Sequence, residues 1–78
     1  MNIQKSTARP KKELIQLLAA GAGLIVEAQA KKTSDLIELA SQAKTTGVTI
    51  IFMGMHNKST SDLIRIASAG RAHVIFEV

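Results

Sequence analysis

The apolar positions of this chain alternate between two spacings, and they do so three times. Leu14, Ile15, Leu17 and Leu18 follow the i, i+1, i+3, i+4 pattern of a helix that buries one face. Leu36, Ile37, Leu39, Ala40 and Ala43 repeat that pattern, as do Leu63, Ile64, Ile66 and Ala67. Each stripe is followed by a short apolar run with the period of a strand. These are Leu24-Ile25-Val26-Glu27, Ile50-Ile51-Phe52-Met53 and Val74-Ile75-Phe76-Glu77.

Boundary signals agree with these elements. Pro10 suits the first position of a helix. Thr33, Ser34, Ser59, Thr60 and Ser61 offer capping hydroxyls, and Asp35 and Asp62 suit the positive end of a helix. Gly21, Gly23, Gly47 and Gly70 punctuate the far ends.

The units are related in sequence. Thr33-Ser34-Asp35-Leu36-Ile37-Glu38-Leu39-Ala40-Ser41 returns 27 residues later as Thr60-Ser61-Asp62-Leu63-Ile64-Arg65-Ile66-Ala67-Ser68, identical at seven of nine positions. A period of this length marks one helix–strand unit stacked on its neighbours.

Alternation along the runs assigns their faces. One face collects Leu24, Val26, Ala28, Val48, Ile50, Phe52, Val74, Phe76 and Val78 and is wholly apolar. The other collects Gly23, Ile25, Glu27, Thr49, Ile51, Met53, His73, Ile75 and Glu77 and is mixed. Strands covered on both sides read as apolar throughout, and these do not. The sequence therefore predicts an α/β fold of three helix–strand repeats in two layers. Its three-stranded, mainly parallel sheet runs in the order 1-2-3, with the helices on one face, as right-handed crossovers require. The order 2-1-3, with helices on both faces, is the alternative. A strand at Met1-Asn2-Ile3 would add a fourth member.

Seventy-eight residues make one domain. We divide the chain into a basic N-terminal arm, 1–9, and a single repeat domain, 10–78. A domain of this size buries only about 60–65% of the surface of its unfolded chain and usually needs reinforcement. The chain has no cysteine and two histidines, which leaves self-association rather than disulfides or a structural metal. No apolar stretch approaches the ~18 residues of a membrane span, and the polar start is unlike a secretory signal. A cytoplasmic location without membrane contact is the expectation.

The net charge of +4 is unevenly placed. Residues 1–12 carry the whole excess as Lys5, Arg9, Lys11 and Lys12, while residues 13–78 balance. In parallel α/β units the strand C-termini and the following helix N-termini share one edge, where ligands tend to bind. That edge collects seven bases against Asp35 and Asp62. Lys5, Arg9, Lys11, Lys12, Lys31, Lys32, Lys58 and Ser59 are its candidate contacts to an anion, a nucleic acid or an acidic protein surface. Lys11 and Lys12 stand in a first helical turn, where cations are disfavoured by ~0.3–1 kcal/mol. Such a local conflict is a place to look for function.

The mixed face supplies the second candidate. In the order 1-2-3, Ile25, Ile51 and Ile75 fall in one row with Met53 beside them, flanked by Glu27, Thr49, His73 and Glu77. An exposed apolar row with a polar rim marks an interface, most simply a dimer of two copies.

Evidence for catalysis is thin. His56, Lys58 and Ser59 form an alternative site for a phosphate-bearing small molecule, with His56 able to exchange a proton. His73 and Glu77 stand about 13 Å apart along one strand. There is no phosphate-binding glycine fingerprint, and no exposed aromatic residue on which a base would stack. No catalytic residue, metal ligand or cofactor is assigned. The sequence reads as a small, non-catalytic interaction protein that self-associates and contacts an acidic partner.

Overall fold

The computed structural model describes residues 9–77 and the backbone of residues 3–6. The elements follow in the order β1 (Ile3–Ser6), α1 (Lys11–Ala19), β2 (Gly23–Glu27), α2 (Thr33–Thr46), β3 (Ile50–Met53), α3 (Thr60–Gly70) and β4 (Val74–Phe76). Single 3-10 turns at Met55–Asn57 and Arg71–His73 precede α3 and β4.

The helix ends show why these segments stop where they do. Pro10 stands just outside α1, at the N-cap, with extended φ and ψ of −67° and 157°. α2 ends at Gly47, whose φ of 76° places it in the left-handed region that favours glycine. The amides of Gly47 and Val48 then turn back to the Ala43 carbonyl. Gly70 acts differently. It is the last helical residue of α3, with φ of −98°, and a Cβ there would collide with Val74 Cγ2 and crowd Ala40. Its smallness lets α3 approach α2.

The three predicted strands are β2, β3 and β4. They are parallel and adjacent in chain order, as the alternation implied, and β1 joins them at the outer edge. This fourth strand lies at Ile3–Ser6, inside the segment read as an arm; Met1, Asn2, Thr7, Ala8 and Val78 lie outside the described residues. Lys5 thereby takes a register position in the sheet, opposite Ile25.

The helices form one layer. α2 packs between α1 and α3, and Leu14, Leu18, Leu36, Leu39 and Ile66 are fully buried together with Leu24, Val26, Ile50 and Phe52 of the sheet. Phe52 and Phe76 are register partners on this face, with ring centroids 6.3 Å apart and planes 23° from parallel. Aromatic pairs at such separations add to the energy of burial alone. Val74 and Phe76 are only half-buried, because no helix follows β4 among the described residues.

Among the described residues the opposite face carries no helix. Ile25, Ile51, Met53, Thr49 and His73 are half-buried there, and Glu27, Ile75 and Glu77 are exposed. The apolar face meets the helices and the mixed face is open, as the alternation of side chains required.

Candidate binding surfaces

Two surfaces were singled out in the sequence: the strand C-terminal edge with its lysines, and the open face with its isoleucines.

At the edge, most of the basic side chains are occupied by the protein itself. Arg9, Lys31 and Lys58 each precede the N-cap of a helix, so they hold equivalent places in successive units. Lys58 Nζ donates to the carbonyl of Lys31 at 2.9 Å, and Lys31 Nζ donates to the carbonyl of Arg9 at 3.2 Å. Each lysine thus reaches back one unit and satisfies a loop carbonyl. Arg9 itself pairs with Glu13 one helical turn on, at 2.9 Å.

A second contact repeats in the forward direction. The first residue of each helix reaches the third residue of the next. Lys11 Nζ lies 3.5 Å from Asp35 Oδ1, and Thr33 Oγ1 donates to Asp62 Oδ2 at 3.3 Å. Lys11 also donates to Glu38 Oε1 at 3.0 Å. The apparent misplacement of a cation at the start of α1 has this structural reason: the carboxylates of α2 outweigh the dipole of α1. The hydrogen bond to Glu38 and its charge, with Asp35 beside it, hold the Lys11 ammonium above the usual lysine range.

Ser59 caps α3, its Oγ accepting from the Asp62 amide at 3.2 Å. Ser59 and Lys58 therefore both have structural partners, while His56 and Asn57 are exposed on the 3-10 turn. Lys12 and Lys32 are exposed and make no ion pair among the described residues. They are the cations at this edge best placed to meet another molecule. No cavity opens among the described residues, and no three His, Asp or Glu side chains gather there.

Glu27 and Glu77 are brought together by a residue that the sequence reading passed over. Gly54, at φ of 73°, leaves β3 between them. Glu77 Oε1 accepts from the Gly54 amide at 3.2 Å, and a Cβ on Gly54 would collide with Glu27 Oε1. The signal in the sequence was the glycine directly after Met53, where β2 continues into Ala28.

On the open face the register aligns the isoleucines. Ile25 is paired with Ile51, and Ile51 with Ile75, so the three form one row across β2, β3 and β4. Met53 is paired with Glu27 one step further along. His73 Nδ1 donates to the Val48 carbonyl at 3.1 Å, which fixes the ring at the start of this face. Ile75, at the outer end of the row, is 50% exposed.

Compared with protein-family models, with curated proteins and with solved structures, the chain matches none. Among the described residues no helix is long and apolar enough to cross a membrane.

Proposed function

We propose that this protein is a non-catalytic interaction module that associates with itself through the open face of its sheet. The alignment of Ile25, Ile51 and Ile75 in one row, bare of any helix among the described residues, carries this reading. Complete burial of one large aliphatic side chain is worth about 1.5–3 kcal/mol. A row of three, only part-covered within one copy, leaves a driving force for two sheets to pack face to face at about 10 Å. A two-fold axis satisfies both copies with the same patch.

Sedimentation velocity over a range of protein concentrations tests it. The wild-type chain sediments as an oligomer at micromolar concentration. The Ile51→Lys variant, with a charge at the centre of the row, sediments as a smaller species than wild type with an unchanged circular dichroism spectrum. A wild-type chain that remains monomeric at high micromolar concentration overturns the proposal.

Contact with an acidic partner is the second half of the reading, and the exposure of Lys12 and Lys32 favours it. Both stand at helix N-termini on one edge, where positive potential adds. Retention on an immobilised polyanion is expected to fall with salt and to weaken in a Lys12→Glu, Lys32→Glu double variant. Retention unaffected by both changes removes this half and leaves the first standing.

A further inference from the structure

Among the described residues β4 is an outer strand of the sheet, and it is unlike the other outer strand, β1. β1 reads Ile-Gln-Lys-Ser, with the lysine that natural edge strands use against unwanted pairing. β4 reads Val-Ile-Phe and has no polar residue. Beside it, Ile64 of α3 is 59% exposed, and Ile75 is 50% exposed. These are the two large apolar residues most exposed among the described residues, and both belong to the last unit.

Backbone bonding shows which groups this edge offers. The Glu77 amide donates to the Phe52 carbonyl, and the Glu77 carbonyl accepts from the Met55 amide, so residue 77 turns its polar groups inward. Backbone groups alternate along a strand, so residue 75 also bonds inward, and residues 74 and 76 point their N–H and C=O groups outward.

We infer that β4 pairs antiparallel with β4 of a second copy about a two-fold axis through Ile75, joining two four-stranded sheets into one of eight. An axis normal to the sheet keeps both helix layers on one side, and it allows only pairings of residues on the same face. Centred on Ile75, it sets Val74 against Phe76 of the second copy, twice, as two hydrogen-bonded pairs with four backbone bonds. An axis centred on Val74 or Phe76 makes only one such pair within the strand. The chosen register also matches chemistry: apolar faces apolar at 74, 75 and 76.

Ile64 stands two residues from Asp62, which touches Thr33 of α2, and so about 160° away around the helix. Ile64 therefore lies on the flank of α3 turned from α2, toward the second copy.

This association uses the edge of the sheet, whereas the proposed function uses its face, and cysteine trapping separates the two. The chain has no cysteine of its own. In the edge pairing Ile75 meets its counterpart at a non-hydrogen-bonded position, with Cα atoms about 4.5 Å apart, within disulfide range. Faces packed about 10 Å apart are beyond that range. Under mild oxidation the Ile75→Cys variant is expected to run as a disulfide dimer on non-reducing electrophoresis at least tenfold faster than the Ile51→Cys variant. Circular dichroism confirms that both variants fold. An Ile75→Cys variant that folds and cross-links no faster than Ile51→Cys overturns the edge pairing. Ile51→Lys removes only the face contact, so that variant sediments as an edge dimer where β4 pairs and as a monomer where it does not, in either case smaller than a wild type that uses its face.

Discussion

Lys58 Nζ lies 2.9 Å from the carbonyl oxygen of Lys31, one repeat unit back in the chain. Lys31 makes the same reach to Arg9 at 3.2 Å. The two lysines, 27 residues apart, tie three successive strand-to-helix loops together. A loop carbonyl left without a partner at such a junction is costly, and an ammonium on a flexible stem is a good donor to it.

Replacing Lys58 tests this structural role against an anion-binding one. Lys58→Met keeps the length of the stem and removes the donor. It is expected to lower the unfolding free energy by about 1 kcal/mol, read as a lower urea midpoint at unchanged slope. A variant as stable as wild type but weaker in polyanion retention would show that Lys58 serves an external ligand instead.

Lys11 makes stability depend on pH at the alkaline end. Its folded ammonium titrates above the usual lysine range because Glu38 and Asp35 hold the proton on. The contribution is therefore complete below the unfolded lysine value of about 10.4 and is lost as pH rises through the folded value. Lys11→Arg keeps its charge through this window. Denaturant titrations at pH 9 and pH 11.5 should show wild type losing more stability than the Lys11→Arg variant. Equal losses would mean that the pairing contributes nothing.

Gly70 is required by packing rather than by its backbone angles. Alanine accepts φ of −98° and ψ of −16° without strain, so any loss must come from the added methyl. That methyl meets Val74 Cγ2, and also the Ala40 Cβ and carbonyl oxygen at 3.1 and 3.2 Å. Gly70→Ala should destabilise the fold by about 1–3 kcal/mol, the usual range for overpacking. Thermal unfolding checks it. A stabilised variant would show that α3 shifts freely on α2.

α2 starts without a side-chain cap, at Lys32. α3, its close copy in sequence, starts with Ser59, whose hydroxyl accepts from the third helical amide. Lys32→Ser places the same hydroxyl before the Asp35 amide and should stabilise the protein by about 1 kcal/mol. If Lys32 contacts an acidic partner, the same substitution weakens polyanion retention. A gain in stability together with a loss of retention is the expected result; retention equal to wild type would leave Lys32 without a binding role.

The open face was legible because its residues alternate with those of the core. Ile25, Ile51 and Ile75 fall on one side of strands whose other side is apolar, and equal strand spacing brings them into one register. The roles of the lysines were not legible in the same way. A first-turn Lys11 reads as an electrostatic conflict until α2 is placed beside α1, with Asp35 at 3.5 Å and Glu38 at 3.0 Å. Gly70 read as a helix stop, and only the approach of Ala40 shows it to be a packing residue. The fourth strand was legible only at Ile3, which the expected Met1-Asn2-Ile3 strand shares with β1; the polar residues Gln4, Lys5 and Ser6 hid its extent, since an outer strand beside β2 can form with a single isoleucine.

What the sequence alone determined was which segments are helices, which are strands, and which side of each is apolar. Those properties follow from burial, which is non-directional and is written in the period of residue types along the chain. The tertiary structure alone decided which cations are held and which stay exposed. A hydrogen bond or ion pair depends on atoms meeting within about 3–4 Å, and for Lys11, Lys31 and Lys58 those atoms belong to residues 22–27 positions away.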